Sequence, residues 1–309
     1  MAALTVGWHR AVKITNGLAV CANLRNITDE SNSVLVPART TGVGLQRRAL
    51  IATFGAAIAA PQLAAKASVS KRVKLKDVEN PKMQEALRAA VSGDLNTAER
   101  LFSELIQEEP QSASAWSNRG SVRMSLSLFE DAREDFTQAI QLAPAAPVPY
   151  LNRAIAFEAL GRFEEAINDC KSAIERDPEE YAAWFNLGNV NSRVKNYEEA
   201  LTAFEKASLL APGIAGYRLK EALVLFQLER LDEAKKLLQG LVRKYPNYAE
   251  AHAALAAVLW SEGERSRAEE QFTEATKREP LYNNLSWVRR QLLWPPNVVK
   301  AMENFLSIA

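Results

Sequence analysis

Residues 181–214 read YAAWFNLGNVNSRVKNYEEALTAFEKASLLAPGI, and this stretch decides the fold. Two apolar-periodic segments, Tyr181–Lys195 and Tyr197–Leu210, are joined by a short turn, which predicts a helical hairpin. Pro212 stops the second helix, because proline lacks the N–H and disfavours helical geometry in the residue before it. Counting in steps of 34 residues from Pro212 lands on Pro110, Pro144, Pro178, Pro246 and Pro280. The same steps from Ala200 land on Ala98, Ala132, Ala166, Ala234 and Ala268. Twelve residues in one phase define an internal repeat.

With the prolines at position 32, the units are 79–112, 113–146, 147–180, 181–214, 215–248 and 249–282. In that frame the fourth unit has Trp184 at 4, Leu187-Gly188 at 7 and 8, Ala200 at 20, Phe204 at 24 and Ala207 at 27. The second has Trp116, Gly120, Ala132, Phe136 and Ala139, and the third has Tyr150, Ala154, Ala166 and Ala173, with Cys170 in the aromatic slot. The first and fifth depart from this, with Lys82 and Arg218 at position 4 and Leu105 and Leu241 at position 27. The pattern resembles the tetratricopeptide repeat (TPR) family over about 200 of the 309 residues. That resemblance implies an all-α, right-handed superhelical solenoid of about six TPR hairpins. Small residues at 8, 20 and 27 let paired helices approach closely, and stacking buries the face each hairpin leaves wet. After Pro280, residues 283–309 are expected to cap the array. Asn283–Leu293 reads as one helix, broken by Trp294-Pro295-Pro296, and a last amphipathic helix carries Val298, Met302, Phe305 and Leu306 on one side.

The composition changes before residue 68, where seven basic residues face only Asp29 and Glu30 among scattered Ser and Thr. Residues 1–46 have the composition of an organelle transit peptide. Within 47–67, Arg47-Arg48 precede the apolar run Ala49–Ala60, and Ala65-Lys66-Ala67 supplies a small-residue cleavage site. The order resembles the bipartite presequences of thylakoid-lumen proteins that use the twin-arginine route. By that resemblance residues 1–46 are a chloroplast transit peptide; the alternatives are a single transit peptide with an incidental apolar stretch, leaving the protein in the chloroplast stroma, and a retained apolar segment that tethers the repeats to the thylakoid membrane. Residues 68–78 form a basic linker containing Lys71-Arg72 and Lys74, a solvated tail or a contact with anionic lipid or an acidic partner. Without residues 1–67 the chain holds 31 basic and 35 acidic residues, net charge −4, which disfavours nucleic acid.

The remaining sequence offers little chemistry. Beyond the presequence stand one cysteine, Cys170, and one histidine, His252, which cannot form a disulfide, a nucleophile pair or a His/Cys metal cluster. Both are expected to be packed structurally. There is no phosphate-binding glycine loop, and acidic pairs such as Glu164-Glu165 suit a helix N-terminus. No enzyme, cofactor, metal or small-molecule substrate is expected.

Binding is therefore expected on the first helices, which line the concave groove in this family. Asn118, Asn152 and Asn186 recur at position 6 with Asn189 nearby, and an amide that donates and accepts can hold an extended peptide. The array is similar in this to the asparagine ladder of O-linked N-acetylglucosamine transferases. Leu151, Ile155, Phe185, Leu219, Leu223, Phe226 and Trp260 form an apolar strip edged by Glu158 and Arg193. The strip suits a hydrophobic peptide or amphipathic helix of a thylakoid protein, and equally the chain's own C-terminal helix. Position 5 holds no lysine, so the clamp with which cytosolic TPR modules capture chaperone carboxylates is absent. The expected function is a non-catalytic adaptor of the thylakoid lumen that assists assembly or maintenance of a photosynthetic membrane complex. The alternative is a holdase-like chaperone for unfolded lumenal or organellar proteins. If the frame is right, Ala200→Leu overpacks a helix contact and costs about 1–3 kcal/mol. Thermal melting of that variant checks it, and an unchanged midpoint would contradict the frame.

Overall fold

The computed structural model describes residues 80–307, whose regular structure is entirely helical. The expected transit peptide, twin-arginine segment and basic linker lie outside the described residues. Helices Pro81–Ser92 (α1) and Leu95–Glu108 (α2), Ala113–Ser125 (α3) and Phe129–Leu142 (α4), and Pro147–Ala159 (α5) and Phe163–Arg176 (α6) pair as three hairpins. They form one compact unit ending at Asp177. A second unit begins at Pro178 and holds Tyr181–Arg193 (α7) with Tyr197–Leu210 (α8), Ala215–Gln227 (α9) with Leu231–Lys244 (α10), and Ala249–Ser261 (α11) with Arg265–Arg278 (α12). Its chain closes with a 3-10 turn, Pro280–Asn283, and the helices Leu285–Gln291 (α13) and Pro296–Leu306 (α14).

The prolines act as the sequence suggests. The residues before them, Glu109, Ala143, Asp177, Ala211, Tyr245 and Glu279, have φ between −128° and −143° and ψ between 68° and 94°, so each second helix ends one residue before that residue. A stop at the other end of the hairpin is less visible in sequence. The turn inside every hairpin needs a left-handed residue, supplied by Gly93, Gly161 and Gly263 but also by Ser127, Lys195 and Glu229, with φ of 62–66°. That conformation costs an L-residue roughly 1 kcal/mol. It ends α7 at Arg193, two residues short of the expected Lys195.

Small residues set the spacing. Ala98, Ala132, Ala166, Ala200, Ala234 and Ala268 are all fully buried. A Cβ on Gly120 would stand 2.7 Å from the ring of Phe136, and one on Gly188 would stand 2.6 Å from Phe204, so only glycine permits those contacts. In the first unit the core runs from Met83, Ala86 and Phe102 to Leu105 and Val122. The C-terminal segment departs from the expected single helix over 283–293. Asn284 accepts from the Trp287 N–H at 3.1 Å and starts α13 there, after the 3-10 turn, while Leu293 with φ 50° breaks the chain away. In α14, Val298, Met302 and Phe305 are buried as expected, and Leu306 is only half-buried.

One stabilising device escaped the sequence reading. Arg153 on α5 donates to both carboxylate oxygens of Asp169 on α6, at 2.7 and 2.8 Å, and its third nitrogen reaches Thr137 of the preceding hairpin at 3.2 Å. Thirty-four residues earlier, Arg119 grips Asp135 at 3.0 and 2.7 Å and Ser103 at 3.1 Å, and Arg123 adds a contact to Asp135. The fork matches the carboxylate bidentately and staples successive hairpins. Thirty-four residues later the same places hold Leu187 and Ala203, both apolar and buried. Asp169→Ala strands a largely buried guanidinium and is expected to cost about 3 kcal/mol, whereas Arg153→Leu with Asp169→Ala recovers most of it. Denaturant unfolding of both checks this; equal losses would refute the staple.

Candidate functional site

The first helices of the hairpins carry the residues expected to bind a peptide, and the structure turns most of them inward. In the first unit, Asn118 on α3 is half-buried with Nδ2 at 3.9 Å from the Met83 sulfur. Asn152 on α5 is 5% exposed and donates to the Ser121 hydroxyl at 3.5 Å, joining two hairpins. In the second unit, Asn186 on α7 is 4% exposed and donates to the carbonyl of Ala182, one turn back, at 2.7 Å. The three amides are therefore not equivalent: Asn152 and Asn186 are buried, and Asn118 is half-buried. An amide serves as a rung for a peptide where its polar atoms face solvent, and those of Asn152 and Asn186 each make a bond inside the fold. Asn189 is half-buried and Arg193 exposed, so α7 keeps a polar surface.

The apolar strip is likewise core. Leu151 and Ile155 are buried in the first unit. Phe185 packs between Phe204 and Tyr217, with ring centroids 5.6 and 4.5 Å away, and Leu219, Leu223 and Phe226 are buried along α9. Glu158 edges α5 half-buried. In the second unit the chain's own last helix packs against part of this region: α14 lies across α9 and α11. Phe305 sits edge-to-face against Trp260 at 5.1 Å and Phe272 at 4.8 Å. Polar contacts fix its register. The Asn297 backbone N–H and side-chain amide donate to Gln227, the Trp294 indole donates to Glu250 at 2.9 Å, and Lys220 donates to the Leu292 carbonyl.

The two reactive side chains are packed. Cys170 on α6 is fully buried, and burial pushes its thiol far above the usual cysteine range, so no thiolate nucleophile stands there. His252 on α11 lies 2.9 Å from the Pro246 carbonyl through Nε2 and 2.8 Å from the Gln271 side chain through Nδ1. Among the described residues no three metal-ligating side chains cluster, and no helix is long and apolar enough to cross a membrane. The residues missed from sequence, Arg119, Arg153, Asp135 and Asp169, recur at the same 34-residue interval, which was the signal available. Phe305→Ala removes the ring that pins α14 and is expected to cost about 3–5 kcal/mol. Thermal melting with limited proteolysis at the C-terminus checks it; a wild-type midpoint and cleavage pattern would show that α14 does not hold the last hairpins.

Comparisons with known proteins agree on the fold. Tetratricopeptide repeat matches cover residues 83–147, 151–213 and 225–285. A TPR protein from Parabacteroides merdae shares 18% identity at a TM-score of 0.57, covering 73% of this chain and 97% of that one. YrrB, described as a TPR protein with an unusual peptide-binding site, shares 21% identity at a TM-score of 0.50, over 58% of this chain and 92% of its own. At such identities these likenesses show the fold alone. A 69-residue segment is 41% identical to the inactive TPR repeat-containing thioredoxin TTL3 of Arabidopsis thaliana, covering 22% of this chain and a tenth of that protein's length. With six hairpins in one 34-residue register and family matches over more than half its length, the chain belongs to the tetratricopeptide repeat family.

Proposed function

We propose that this TPR scaffold works in the thylakoid lumen as a non-catalytic adaptor, holding a segment of a photosynthetic membrane complex during its assembly or maintenance. The observation that carries the reading is the pairing of a helical-repeat array with the two successive address-like segments around Arg47-Arg48 and Ala65-Lys66-Ala67. Two addresses in series suit a protein that crosses the envelope and then the thylakoid membrane. A dedicated partner is favoured over broad holdase action by the fate of the apolar strip, which lies within the packed units. The large apolar side chains that are exposed, such as Val91, Val148, Leu209 and Leu281, each stand on a different element, which leaves little continuous surface for unfolded clients.

Import of the full chain into isolated chloroplasts, followed by N-terminal sequencing and crosslinked co-purification from lumen and membranes, tests the reading. The expected mature N-terminus lies near Ser68, with a membrane-complex subunit captured. A start before Arg47 would overturn the lumenal assignment, and recovery without any such subunit would overturn the adaptor role.

A further inference from the structure

Position 4 of the hairpins shows how the surface between a first helix and its partner is normally filled. Trp116, Tyr150 and Trp184 each donate from the ring to the carbonyl of the proline six residues earlier, at 2.9, 3.3 and 3.0 Å, and His252 approaches Pro246 in the same way. The first hairpin has no ring there. It seats Lys82 instead, paired with Glu104 at 3.4 Å and Glu108 at 2.5 Å across the hairpin.

The fifth hairpin has neither at position 4; a ring reaches this end only from Tyr245, whose hydroxyl donates to the Gly213 carbonyl at 3.5 Å. Four repeats on from Lys82 stands Arg218, and four repeats on from Glu104 and Glu108 stand Gly240 and Lys244. The ring at position 4 is missing, both acids are missing, and one acid has become a cation. A cleft of about 350 Å³ opens there, lined by Pro212, Arg218, Gly240, Arg243, Lys244 and Tyr245 among others. Among the described residues none of its three cations is in an ion pair. Lys244 lies over the Tyr245 ring at 5.2 Å, and Arg218 feels the field of Glu221, three residues along α9, one oxygen of which accepts from the Ser208 hydroxyl at 3.0 Å. Gly240 is a second, separate observation. It sits inside α10, where glycine weakens a helix relative to alanine, yet a Cβ there would meet nothing within 4 Å. Packing does not require that glycine. Its effect is to leave the floor of the cleft without a side chain.

We propose that this cleft docks an acidic peptide segment, whose carboxylates take the places that Glu104 and Glu108 hold beside Lys82 in the first hairpin. The charge is complementary and the volume is that of a small-ligand site. The cleft lies off the groove positions expected for this family and goes beyond the lumenal adaptor reading without resting on it, since binding to purified protein does not depend on compartment.

The probe is a fluorescein-labelled peptide of alternating Glu and Gly, with the Gln counterpart as control, followed by anisotropy at low and high salt. Wild-type protein is expected to bind the Glu peptide at least tenfold more tightly than the Gln peptide, and the preference should fall with salt. Two variants close the cleft with residues the sister hairpins already use there. Arg218→Trp restores the ring, and Gly240→Glu restores the internal acid; both are expected to melt no lower than wild type and to weaken Glu-peptide binding at least tenfold. Equal binding of the two peptides by wild type, or undiminished Glu-peptide binding by both folded variants, would overturn the proposal.

Discussion

The distance between the two helices of each hairpin is the constraint on which the structure depends. Buried alanines from Ala98 to Ala268, one per repeat, and the glycines facing Phe136 and Phe204 let the backbones approach until the neighbouring rings fill what space remains. Because one buried alanine recurs at that contact in every unit, the hairpins stack on a shared spacing. Stability within each unit then accumulates through nearest-neighbour contacts, and the chain needs little long-range instruction to build them.

Once spacing is fixed, the remaining positions can vary, and the variation carries the individuality of the protein. The Arg–Asp staples tie the hairpins of the first unit with charge-assisted forks. The second unit uses Leu187 and Ala203 in those places and finishes with α14 packed over its last first-helices. Polar and apolar answers to one geometric problem therefore coexist in a single chain. At position 4 the same problem has three answers: a ring, an internal ion pair, and in the fifth hairpin an opening.

Much of the fold was legible because backbone stops and small residues act locally. Proline dictates the conformation of the residue before it wherever it stands, so six helix ends followed from six letters. The left-handed turn at Ser127, Lys195 and Glu229 was hidden because no glycine marks it. The candidate site was the least legible part. Asn152 and Asn186 occupy the interval of a ladder, but their meaning depends on whether a neighbour's hydroxyl or the helix's own carbonyl is nearer than a ligand. Likewise Phe185 and Leu219 are apolar whether they line an open groove or a packed core.

The sequence by itself determined the repeat length, the helical hairpins, the close-packed alanine contacts and the structural role of Cys170, because each follows from periodicity or from the intrinsic limits of a residue type. Tertiary structure alone decided which polar groups are spent internally, that α14 covers α9 and α11, and that Arg218, Gly240 and Lys244 come together around an opening. The reason is physical: a hydrogen bond or a cleft is a relation between residues on separate helices, and its outcome depends on distances of a few ångströms that a linear pattern does not contain.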